Sequence, residues 1–184
     1  MSDTVQSKGG PNRRVAIDGA SRRRIYLFRH GAVDYIDENG EWVADPDVVD
    51  LNARGRAQAA AMAELFDGVD VDKALCTGLP RTRQTGETIL GNRKIELVVI
   101  PELEEIRPQK GQAAGGYDIY ADIAFSHWRA PEDNARFLAG ERYKDFYARI
   151  SAAMRTLLED PSWHNLAVFA HGGTNAAVLG WATG

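Results

Sequence analysis

The sequence predicts an α/β fold with parallel strands. Three observations predict it. Short apolar runs alternate with helical patterns along the chain, the order that builds parallel sheets through crossover helices. Two of those runs end in the same dipeptide, His30-Gly31 and His171-Gly172. At 184 residues the chain has the size of one domain with one core.

Residues 1–22 show Gly9-Gly10-Pro11, scattered charge and no sustained period, so a mobile tail is expected before a domain over 23–184. Arg24-Ile25-Tyr26-Leu27-Phe28-Arg29-His30-Gly31 is the stretch the other elements serve. Its four consecutive apolar residues are too few for a helix and read as a strand buried on both faces. The abrupt change at Arg29 and His30 places a cation and an imidazole at the carboxyl end of that strand, where open α/β sheets bind ligands. Gly31 permits a sharp turn and close backbone approach to a ligand.

Residues 32–50 are acidic, contain Asn39-Gly40 and Pro46, and read as a loop with a short hairpin beside the cleft. Asn52 suits the N-cap of a helix in which Ala59, Met62, Ala63 and Phe66 recur at helical spacing, ending near Gly68. A strand over 72–76 follows. Thr77-Gly78-Leu79-Pro80 then opens a second helix, with the proline in its first turn. This sets Arg81 at a helix N-terminus, where backbone N–H groups favour an anion and a guanidinium grips phosphate oxygens in pairs. Arg83, two positions on, points to another face.

Ile95 to Ile100 reads as a strand closed by Pro101, and Leu103-Glu104-Glu105-Ile106 as a loop. Residues 107–139 carry glycines, aromatics and little period. They read as a lid or specificity insert with a helix over 117–128. Phe146, Ile150, Ala153, Met154 and Leu157 form the apolar stripe of a helix running to Pro161. After the strand Leu166–Ala170, residues 174–181 read as a helix whose N-terminus faces the same cleft. The chain stops at Gly184, so soon after a cleft strand that a missing C-terminal strand or helix is expected.

The two strand-end histidines stand 141 positions apart, which excludes a local motif but suits neighbouring parallel strands opening into one cleft. A net charge of −4 and a pI near 5.6 give no electrostatic reason to bind nucleic acid or an anionic membrane. Cationic contacts to an anionic ligand must therefore be local. One cysteine, Cys76, excludes an internal disulfide and points to a reducing compartment, the cytoplasm. Ser21-Arg22-Arg23-Arg24 superficially suggests a twin-arginine signal, but the apolar run after it stops at Arg29, and no other stretch is long enough to span a membrane.

Six short segments together resemble the histidine phosphatase superfamily, also called phosphoglycerate mutase-like. They are Leu27-Phe28-Arg29-His30-Gly31, Leu51-Asn52-Ala53-Arg54-Gly55 with Gln58-Ala59, Pro80-Arg81-Thr82-Arg83-Gln84-Thr85, Leu103-Glu104-Glu105, Gly140-Glu141 and Ala170-His171-Gly172-Gly173. Each is short, but six in this order are specific, and the resemblance covers Arg24 to the end. It implies an α/β fold, a three-layer sandwich with a mostly parallel central sheet flanked by helices, and a phosphomonoester hydrolase that acts on a small phosphorylated metabolite with no metal or other cofactor. It implies that His30 becomes phosphorylated, that Arg29, Arg81 and His171 hold the transferring phosphoryl group, and that Glu105 donates the proton. The Leu-x-Glu spacing from Leu103 favours Glu105 over Glu104. Gly172 is expected to add a backbone contact to phosphate, and Arg107 and Lys110 a second anion-binding group.

The chemistry agrees with these roles. A phosphoryl group in flight spreads negative charge over its oxygens, so positioning and electrostatic stabilisation carry the catalysis. An imidazole attacks only when unprotonated, and neighbouring guanidiniums are expected to lower the pKa of His30. Where the mutases of the family carry a hydroxyl residue and an asparagine, this chain has Ala32-Val33-Asp34-Tyr35, which counts against an isomerase. Three other readings compete: mutase-type phosphoryl transfer, a catalytically silent phospho-ligand-binding domain, and a metal site of His30, His171 and Asp34. No nucleic-acid or membrane partner is expected, and the oligomer allowed for is a homodimer.

Overall fold

The computed structural model describes residues 22–109 and 130–184. The N-terminal tail, the helix expected over 117–128 and Lys110 lie outside the described residues. Among the described residues four strands form one sheet, all parallel, in the order β1-β4-β2-β3. They are β1 (Arg24–Arg29), β2 (Lys73–Cys76), β3 (Leu97–Val99) and β4 (Asn165–Ala170). The helices are α1 (Ala53–Leu65), α2 (Pro80–Leu90), α3 (Tyr143–Glu159) and α4 (Gly172–Thr183).

β4 shows why three layers form. All six of its residues are buried, and its side chains alternate between two cores. Leu166, Val168 and Ala170 face Phe146, Ile150 and Met154 of α3 and Ala177 and Val178 of α4. Ala167 and Phe169 face Phe66 and the α2 residues Ile89 and Leu90. Of the α3 stripe read from the sequence, Phe146, Ile150, Met154 and Leu157 are buried and Ala153 is partly buried against the same core. Arg23 fastens the start of β1 to the end of α3: its guanidinium lies 3.5 Å from the Trp163 ring centroid and donates to the Leu158 and Asp160 carbonyls.

The structure departs from expectation in four places. β1 is only half-buried, not buried on both faces, because it is an outer strand of the sheet and pairs with β4 alone among the described residues. In α1 Ala59 is buried but Met62 is 38% exposed, and the helix docks through small residues instead of a wide apolar stripe. Gly55 is the point of closest approach, since a Cβ there would lie 2.1 Å from the Ala32 carbonyl oxygen. β3 is confined to three residues, although the Ile100 N–H extends its pairing to Cys76 O at 2.8 Å. α4 begins at Gly172, two residues earlier than expected, which brings both glycines into its first turn.

Candidate active site

Parallel pairing of β1 with β4 sets the site. Arg29 is opposite Ala170, and the His30 N–H donates to Ala170 O at 3.0 Å. His30 and His171 therefore leave adjacent strands at the same level. Their ring centroids are 5.3 Å apart, edge to face. The expected meeting of two imidazoles at the carboxyl end of the sheet is thus a feature of the fold.

The His30 ring is held by its own turn. Nδ1 lies 2.8 Å from Gly31 O, and a carbonyl only accepts, so Nδ1 carries the hydrogen and Nε2 keeps its lone pair. Burial, first, and then the Arg81 and Arg29 charges lower its pKa to about 4, while the bond to Gly31 opposes them. The lowering expected from the guanidiniums is present, but burial is the larger cause. Gly31 serves its own backbone contacts: a Cβ there would meet Gly55 O at 2.5 Å, and its N–H donates to Thr85 Oγ1 at 3.1 Å.

Arg81 sits in the first turn of α2, after Pro80, and is only 5% exposed. Nη1 donates to Pro46 O at 2.7 Å, whereas the buried Nε has no partner among the described residues. A buried donor without an acceptor is costly, so this edge of the guanidinium fits an anion. Arg83 is exposed and pairs loosely with Glu87 at 3.9 Å. Arg29 is exposed at the end of β1 and runs beside the first turn of α4, its Nε 3.7 Å from where a Gly172 Cβ would stand.

His171 is buried and its Nε2 lies 3.0 Å from Thr77 Oγ1. Burial, first, then the charges of Arg81, His30, Arg29 and Arg149 lower its pKa to about 2. Both imidazoles are thus neutral near pH 7.

Glu104 and Glu105 separate cleanly. Glu104 turns outward to Arg107, Oε2 to Nη2 at 2.9 Å. Glu105 turns inward and accepts from the Gly173 N–H at 2.8 Å and from the Ile106 N–H at 3.0 Å. It therefore occupies the N-terminus of α4, two residues beyond His171. A Cβ at Gly173 would stand 2.4 Å from Glu105 Oε1, which explains the second glycine of the motif. The expected second-anion role of Arg107 meets an engaged side chain, since its guanidinium pairs with Glu104.

Three participants were not singled out from the sequence. Tyr35 is half-buried, its ring centroid 5.9 Å from Arg81 Cζ, and burial raises its pKa against the pull of Arg81 and Arg29. Its place five residues after His30, beside the expected cleft, was the available signal. Arg149 of α3 donates to Glu102 O, Glu104 O and Glu105 O and pairs with Glu141 at 2.8 Å. Thr77 is the third. Asp34, the third ligand of the metal alternative, accepts from Asn52 Nδ2 at 2.7 Å, and among the described residues no three His, Cys, Asp or Glu side chains converge as metal ligands.

Two neutral imidazoles and two guanidiniums at the carboxyl ends of neighbouring parallel strands make this an α/β domain with an anion-directed, double-histidine pocket. The model of the histidine phosphatase superfamily, branch 1, matches residues 25–184, and the chain belongs to that family. It is 27% identical over 158 residues to the adenosylcobalamin/alpha-ribazole phosphatase of Escherichia coli K12, covering 85% of this chain and 77% of the relative. The alpha-ribazole phosphatase of Shigella flexneri superposes with a TM-score of 0.68 at 25% identity, covering 84% of this chain and 77% of that one. A mycobacterial glucosyl-3-phosphoglycerate phosphatase in complex with VO3 gives 0.66 at 26%, covering 85% and 80%.

Proposed function

We propose that the chain hydrolyses small phosphomonoesters without a metal, through a phosphohistidine on His30. The observation that carries this reading is the free Nε2 of His30 set edge to face with His171. His30 Nε2 attacks phosphorus, the P–N bond forms as the ester P–O bond breaks, and Glu105 gives its proton to the departing oxygen. Water then attacks the phosphohistidine and gives a proton back to Glu105, and the P–N bond breaks to release orthophosphate. Arg81, whose Nε has no partner among the described residues, and the Arg29 charge stabilise the equatorial oxygens in both steps. The phosphatase names of its relatives support the reaction class.

The test is hydrolysis of p-nitrophenyl phosphate in EDTA by wild type and His30→Ala. Wild-type turnover that survives chelation and vanishes in the variant is expected. Equal rates would overturn the proposal. A panel of phosphorylated metabolites, run with 3- and 2-phosphoglycerate to detect transfer, then identifies the substrate.

A further inference from the structure

Behind His171 lies a buried chain of hydroxyls. Thr77 Oγ1 is 3.0 Å from His171 Nε2 and 3.0 Å from Thr82 Oγ1, and the Thr82 hydroxyl donates to Leu79 O at 2.9 Å. Thr77 is 1% exposed and Thr82 is fully buried. A hydroxyl has one hydrogen, so fixing the direction of one bond in the chain fixes the others. Leu79 O only accepts. It also receives the Thr82 and Arg83 N–H groups, at 3.0 and 3.1 Å; with the Thr82 hydroxyl as its third donor, Thr82 accepts from Thr77, which accepts from Nε2–H of His171. Run this way, all three hydrogens have acceptors. Run in reverse, Nδ1–H of His171 would lie without an acceptor among the described residues. The chain also ends on a carbonyl, which takes no proton, so the Nε2 hydrogen has no exit through it.

We propose that Thr77 and Thr82 are positioning residues that lock His171 as its Nε2–H tautomer, leaving Nδ1 as a bare acceptor, so that the pocket takes a phosphate carrying one proton. The bound P–OH hydrogen is shared with Nδ1, and the phosphate and imidazole hold one proton between them. This deepens the phosphatase reading and rests on it for the identity of the anion. The charged and titratable groups around His171 are Arg29 and His30 at the end of β1, Arg81 on α2, Arg149 on α3, Glu105 on its loop and Tyr35 on the 32–50 loop. The lowered values of both histidines and the raised value of Tyr35 put those three titrations outside the neutral range.

Inorganic phosphate is the probe, titrated as a competitive inhibitor from about pH 6 to 9 in wild type, Thr77→Ser and Thr77→Val. Above the second pKa of phosphate, binding to wild type and T77S should weaken about tenfold per pH unit, following the protonated form. In T77V the lock is gone, Nδ1–H becomes available to the dianion, and the dependence should flatten. Long-range proton–nitrogen correlation spectra of the free protein should show His171 as the neutral Nε2–H form. Phosphate binding to wild type that is level above pH 7, or an Nδ1–H signal in the free protein, would overturn the proposal. Should T77V not fold, wild type and T77S decide it. If the protein hydrolyses nothing, the phosphatase reading fails by itself, because the same spectra follow phosphate binding without turnover.

Discussion

A methyl group at position 173 would displace Glu105 from the two N–H groups that hold it. Gly173→Ala should therefore lower kcat by about the 10²- to 10⁴-fold that a general acid contributes, with a smaller change in KM. Steady-state kinetics beside Glu105→Gln will check this: a G173A rate equal to wild type would separate Glu105 from the chemistry. The His30 pKa of about 4 sets a second expectation. The nucleophile is neutral above that value, so kcat/KM should fall through an acidic limb near pH 4, far below the 6.5 of a free imidazole. His30, Arg81 and His171 could be read from the sequence because each follows a strand or helix boundary that the sequence marks. Thr77 and Arg149 could not, since their partners at 171 and 105 are brought in by tertiary structure, 94 and 44 positions away.

At the scale of elements, the acid loop is held from behind. Arg149 of α3 bonds three consecutive-turn carbonyls over 102–105, while Glu141, its partner, accepts from the Arg107 N–H at 3.1 Å. Both side chains are mostly buried, at 15% and 14% exposure. Gly140 closes the same contact, because a Cβ there would lie 2.3 Å from Arg107 O. Removing one member of such a pair leaves an uncompensated charge, so Arg149→Met should cost about 3 kcal/mol in urea unfolding and lower kcat, with Arg149→Lys intermediate. Unchanged kcat would mean that the clamp does not govern Glu105. The α3 stripe was legible because its apolar residues are large and regularly spaced. α1 was read too apolar, because a helix docking through Gly55 and Ala59 leaves Met62 to solvent.

At the scale of the whole molecule, two buried neutral histidines make the fold acid-sensitive. Their folded pKa values lie below the unfolded 6.5, so the unfolded chain binds more protons on acidification. The stability they confer is complete above about pH 6.5 and is lost as pH falls, through about 4 for His30 and towards about 2 for His171. Urea midpoints at about pH 7.5 and 5 should differ in wild type and converge in a His30→Ala, His171→Ala double variant. The parallel strands were readable from the sequence, and β4, apolar from Leu166 to Ala170, must be covered on both faces. The edge position of β1 was not, because four apolar residues in a row look alike on an outer or an inner strand.

The most direct test is rapid quench of wild-type protein during turnover of a good phosphomonoester, followed by mass spectrometry of the peptide containing residue 30. The account predicts phosphate on His30, labile in acid and stable in base, appearing and decaying at rates that support kcat. Full turnover with no phosphate on that imidazole would contradict it.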